Sequence, residues 1–234
     1  MNQKAILTIP SLLALCAAAA PAARAADSPV YANDVRLGAY FVFYHTKADD
    51  LSGAYVPSGV NLSVRDVQTL YAAYVRRLSS RFDVELAFGW PPVTKTVGRG
   101  PATLGSVPYD GQVISTARWV SPTLLVEYKF LSENSPVRPY LGLGVNYTTF
   151  IDRNSTAAGN AASGGPTRLS LSSSVGPAVT LGMSYQITSH WASHISYSWS
   201  QIRSNLTADT AGTIRRTHID FGPQALVVSV GYSF

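Results

Sequence analysis

The sequence predicts an all-β fold, an eight-stranded antiparallel up-and-down transmembrane β-barrel. Three observations predict it. Eight segments alternate apolar with small or polar residues at period two. Their connections are short and long in strict turn. Charged residues make up only 13% of the chain, about half the share usual in a soluble domain. Past the N-terminal segment no apolar run is long enough for a membrane helix. Only helices and closed barrels satisfy a backbone in lipid, so a low-charge chain without helical spans points to the barrel.

The N-terminal segment reads as a leader. Lys4 precedes a small and apolar run from Ala5 to Ala20, and Ala23-Arg24-Ala25 offers an A-x-A cleavage signal. We therefore expect a signal peptide over 1–25 and one barrel domain over 26–234. Pro10 and the short apolar run argue against a membrane anchor. Cys16, the only cysteine, falls in the leader behind Leu15, where a lipidation site needs a small residue. The mature chain is then free of thiols, disulfides and Cys-ligated metal. Its net charge of +5 drops by two when Lys4 and Arg24 leave, too little to imply an anionic partner.

The predicted strands run, in order, over Val35–Tyr44, Asp66–Arg76, Phe82–Gly89, Thr123–Leu131, Val137–Phe150, Leu169–Ile187, Trp191–Ile202 and His218–Phe234. The last shows the pattern well: Leu226, Val228, Val230, Tyr232 and Phe234 against Ala225, Val227, Ser229, Gly231 and Ser233. One such face meets lipid and the other the lumen. Segments 78–81, 132–135 and 188–190 are short turns. Segments 46–64, 90–120, 151–168 and 203–217 are long and rich in Gly, Pro, Ser and Thr. That order predicts long loops outside, with short turns and both termini in the periplasm of a Gram-negative outer membrane. A soluble lipocalin-like barrel would bury its apolar face inward, whereas here the charges lie on the small-residue face. Aromatic residues on the lipid face form two girdles, Phe82, Phe130, Tyr185, Trp191, Tyr232 and Phe234 at one end, Phe43, Phe88, Trp90, Tyr147 and Trp199 at the other.

Strand direction gives each lumen residue a height. Near the short-turn end the lumen face collects Arg36, Arg76, Asp83, Glu85, Glu127, Lys129 and Arg138. Charges confined together should pair, because an isolated one is costly, so we expect an ionic floor. Near the long-loop end the same face offers Tyr40, Val42, Leu70, Leu125, Phe150, Ile202, Ile219 and Phe221. An apolar mouth above a closed floor suits small hydrophobic solutes; the plainer alternative is that these residues only fill the barrel, because a one-residue slip exchanges the two faces. With the floor closed, a solute leaves sideways. Gly176-Pro177 on the sixth strand interrupts the ladder and is the expected lateral opening; a harmless bulge is the alternative.

The stretch Arg138-Pro139-Tyr140-Leu141-Gly142-Leu143-Gly144-Val145-Asn146-Tyr147-Thr148-Thr149-Phe150 resembles the signature of the outer-membrane protein W (OmpW) family. So do Pro122-Thr123-Leu124-Leu125, Leu169-Ser170-Leu171 followed by Gly176, and the terminal Gly231-Tyr232-Ser233-Phe234. The resemblance covers the mature chain and implies an eight-stranded barrel with a hydrophobic channel, closed to the periplasm and releasing ligand into the membrane. Segments 91–121 and 157–165, and Pro177, depart from the family pattern.

Other function classes find less support. His194-x-Ser196 could suggest a lipid hydrolase, but both residues point into the lumen and no orienting carboxylate is identifiable, so no enzyme is expected. Loop arginines (Arg99, Arg118, Arg153, Arg168, Arg203, Arg215, Arg216) could pair with lipopolysaccharide phosphates, which would make the chain a structural or adhesive barrel. No groove-reading motif supports nucleic-acid binding. His45, His190, His194 and His218 lack metal-ligand spacing, and no cofactor is expected. The expected partners are outer-membrane lipid, lipopolysaccharide and small hydrophobic solutes.

Overall fold

The computed structural model describes residues 31–104 and 106–234. The signal peptide expected over 1–25 lies outside them, as does Cys16.

Eight strands close into a barrel: β1 (Asn33–Tyr44), β2 (Val67–Arg77), β3 (Phe82–Gly89), β4 (Thr123–Lys129), β5 (Val137–Ser155), β6 (Ser174–Gln186), β7 (Trp191–Ser200) and β8 (Pro223–Ser233). Each pairs antiparallel with its chain neighbours, and β1 pairs β8 from Asp34↔Ser233 to Tyr44↔Pro223. Closure leaves no barrel edge to satisfy, which is what the bilayer demands. Two glycines let neighbouring backbones approach. A Cβ on Gly38 would stand 2.1 Å from the Val228 carbonyl oxygen, and one on Gly144 1.8 Å from that of Leu124.

Alternation sorts the wall. On β8, Ala225, Val227, Ser229 and Gly231 are buried, while Val228, Val230 and Tyr232 are exposed on the outer wall. Phe43, Phe88, Trp90, Tyr147 and Trp199 are exposed near the long-loop end; Phe82, Phe130, Trp191, Tyr232 and Phe234 are exposed at the other. Tyr185 is half-buried.

The second strand is displaced by one residue from its predicted face. Its pairing sets Leu37, on the outer wall, against Ala72, and buried Arg36 against Ala73. Tyr71, Ala73 and Val75 are therefore buried in the lumen, while Leu70 (68% exposed) and Arg76 face out. Leu70 is not part of the mouth, and Arg76 is not part of the floor. Arg76 instead donates to Asn33 Oδ1 at 2.7 Å at the barrel rim. In Leu-Tyr-Ala-Ala-Tyr-Val-Arg-Arg each face carries a tyrosine and an arginine, so alternation alone cannot choose between registers.

The long connections are structured. β5 runs on to Ser155, and its outer half pairs with a strand at Val113–Val120, which pairs in turn with Val93–Arg99 and then Asn61–Val64. The predicted sixth strand breaks at Ser172–Ser173. Its first part, Arg168–Leu171, joins a hairpin of Arg203–Thr210 and Thr213–Asp220. Ala211 (φ 49°) and Gly212 (φ 89°) turn that hairpin, the double positive φ of the tight turns that match strand twist. The predicted eighth strand is likewise two strands, parted at Phe221–Gly222. Thr156 caps a short helix, Ala157–Ser163, by accepting from the Gly159 N–H.

Candidate functional site

The lumen has three tiers. At the short-turn end, Arg36 is fully enclosed. Its guanidinium donates to Asp34 Oδ2 at 3.0 Å, Glu85 Oε2 at 2.5 Å and Glu127 Oε2 at 3.5 Å. Lys129 pairs with Asp83. Arg138 donates to the Ser80 carbonyl at 2.6 Å and is buried. Tyr140 stands over this network, with Arg36 Cζ 5.8 Å from its ring centroid. Gly182 makes room for that ring, since a Cβ there would fall 2.3 Å from Tyr140 Cζ. Arg77, which the sequence reading did not single out, lines the cavity of this tier with Asp34, Asp83, Lys129, Arg138 and His194.

The middle tier is a cavity bounded by Tyr40, Tyr71, Leu125, Ala178 and Val227. Val42 is buried on the same strand face as Tyr40. Tyr71 donates to Glu85 Oε1 at 2.8 Å, which joins this tier to the ion-paired one.

The upper tier is an apolar cluster in which Phe150, Ile202, Ile219 and Phe221 pack with Leu62, Val64 and Trp119, all buried. Trp119 meets Phe150 edge-on at 4.9 Å and Phe221 at 4.7 Å between ring centroids, a preferred aromatic geometry. The four predicted residues therefore come together, but the loops complete the cluster. Leu62, Val64 and Trp119 were missed because their segments read as irregular loop. The signal was present in the alternation of Val60, Leu62 and Val64 and of Ala117 and Trp119.

Gly176 and Pro177 do not mark a gap. Both are in register with β5, opposite Asn146 and Val145. On the other side the β6–β7 register ends at Ala178, but Gln201 N–H still donates to the Pro177 carbonyl at 3.0 Å, and Arg203 N–H to Ser174 Oγ at 3.0 Å. A Cβ on Gly176 would stand 2.2 Å from the Gln201 carbonyl oxygen, so the glycine draws the wall together. The ladder is thinner between β2 and β3. There Trp90 N–H donates to the Leu70 carbonyl, the Thr69 hydroxyl donates to the Trp90 carbonyl at 2.6 Å and, beyond, Arg65 N–H donates to the Lys95 carbonyl. Pro91 and Pro92 lie between and have no N–H to give.

Several loop arginines are engaged within the chain. Arg118 pairs with Asp152 at 3.2 Å, Arg203 with Asp220 at 3.0 Å and Arg99 with Asp110 at 3.7 Å. His194 and Ser196 both face the lumen; among the described residues no hydrogen bond joins them.

A closed antiparallel eight-stranded barrel with an aliphatic outer wall between aromatic girdles is the architecture of bacterial outer-membrane barrels. A family model described as "OmpW family" matches residues 34–234. The chain belongs to the OmpW family and is an outer-membrane protein. It is 28% identical over 213 residues to Outer membrane protein W of Vibrio cholerae, covering 89% of this chain and 93% of that one. It is 29% identical over 133 residues to the dibenzothiophene metabolism operon protein PahQ of Pseudomonas aeruginosa, covering 53% and 57%. The crystal structure of the outer membrane protein OprG from Pseudomonas aeruginosa superposes with a TM-score of 0.78 at 23% identity, covering 88% of this chain and 96% of that one.

Proposed function

We propose that this barrel carries small hydrophobic molecules across the outer leaflet side of the membrane. The observation that carries the reading is the buried apolar cluster at the loop end, set above an ion-paired tier. An apolar solute gains by leaving water for such a cluster. It cannot pass the ion pairs below without parting charges that are costly to expose alone. The loops face outside, and the short turns and termini face the periplasm. With the lower end shut, release is sideways into the bilayer, through the thin ladder at Pro91-Pro92. Similarity to a protein named for a dibenzothiophene operon supports a hydrophobic aromatic solute. The internal pairing of Arg99, Arg118 and Arg203 makes a lipopolysaccharide-binding role the weaker reading.

The test places a charge in the upper tier. Phe221→Asp is expected to cut the uptake of a hydrophobic probe several-fold while the barrel still migrates as a folded species in unheated gels. Undiminished uptake by the folded variant would remove the apolar mouth from the mechanism.

A further inference from the structure

We propose that the middle tier is a second binding site, selective for neutral molecules with an apolar body and a hydrogen-bond-donating head, such as aryl or alkyl alcohols and phenols. This rests on the transport reading above and names the solute class. β7 carries Ser196, Ser198 and Ser200 at alternate positions, all turned into this cavity, and Thr180 on β6 faces it with them. Leu125, Ala178 and Val227 supply apolar wall in the same space. Serines and alanines at these heights leave room where larger side chains would fill an eight-stranded lumen.

The polarity of the head follows from who already bonds whom. The Tyr71 hydroxyl donates its proton to Glu85 Oε1 at 2.8 Å, so its oxygen remains an acceptor. Glu85 lines the cavity, whereas Arg36, which takes the other carboxylate oxygen, does not. Among the described residues no Lys or Arg lines this tier. It therefore presents hydroxyls and carboxylate-backed acceptors without a cation. A hydroxyl head can donate there. A carboxylate head finds no cation to pair with among the described residues, because the Arg36 guanidinium is taken up by Glu85 and does not line the cavity. A plain hydrocarbon strips water from the hydroxyls and returns no hydrogen bond. Sites built for a hydroxyl discriminate against the analogue lacking it, because their own polar groups are left unpaired.

The test is equilibrium binding of toluene, benzyl alcohol and benzoate to the purified, folded barrel in detergent micelles. Wild type is compared with the double variant Thr180→Val with Ser198→Ala, whose fold is checked by unheated gel migration. The ratio of benzyl alcohol to toluene affinity is expected to fall about fivefold in the variant, the worth of one ordinary hydrogen bond. Toluene should bind the variant at least as tightly as it binds wild type, and benzoate should bind weakest to both proteins. An unchanged ratio with toluene still bound overturns this site and leaves the transport reading standing. Benzoate binding as tightly as benzyl alcohol overturns it too. A wild type that binds neither toluene nor benzyl alcohol overturns both.

Discussion

Arg36 holds the lower tier together, because three carboxylates from three strands converge on one enclosed guanidinium. Removing a buried cation leaves its partners as uncompensated charges, a loss of about 3–5 kcal/mol. Arg36→Met is expected to lose about that much in urea unfolding in micelles. Arg76→Met, on the exposed rim, should change stability by no more than about 0.5 kcal/mol. Equal losses would return the second strand to its predicted register. This contrast also shows what single residues reveal. Arg36, Asp83, Glu85, Glu127, Lys129 and Arg138 share the lower tier because each strand's alternation was unambiguous. The adjacent pair Arg76-Arg77 offered one basic residue to each face, and only pairing with β1 decides between them.

At the scale of elements, the barrel strands were legible and the loops were not. Period two survives in β7 and β8 because one face meets lipid and the other does not. Above the girdles that contrast weakens: both faces of the outer hairpins meet water or other loops, and the pattern thins. Thus Arg203–Thr210 and Thr213–Asp220 read as loop and as part of the eighth strand, although they form one hairpin. Close approach between elements gives a direct check. Gly38→Ala puts a methyl against the Val228 carbonyl at the β1–β8 seam. It is expected to abolish or sharply reduce the folded, heat-modifiable barrel, whereas Ala39→Gly, one residue along the same strand, should fold. Normal folding of Gly38→Ala would mean that the seam is looser than its register indicates.

For the whole molecule, the eight-strand count was readable because connection lengths alternate, a property of the chain that survives local errors of register. The vertical order of the lumen was half readable. Its ionic end lies on barrel strands; its apolar end is assembled by Leu62, Val64 and Trp119 from three-dimensional contacts between loops. Tyr40 and Leu125 of the middle tier were legible as lumen residues, but its serines were not singled out, because small polar residues at every second position read as filler until their common cavity is seen. The three tiers together make the barrel asymmetric, apolar at the loop end and ion-paired at the short-turn end. That asymmetry is tested most directly by uptake into cells with and without the protein, using an alkane, an aromatic hydrocarbon and a small polar solute of similar size. The protein is expected to speed uptake of at least one hydrophobic probe several-fold and to leave the polar solute unchanged. Equal hydrophobic uptake in both cell types, or faster passage of the polar solute, would contradict a carrier of small apolar molecules.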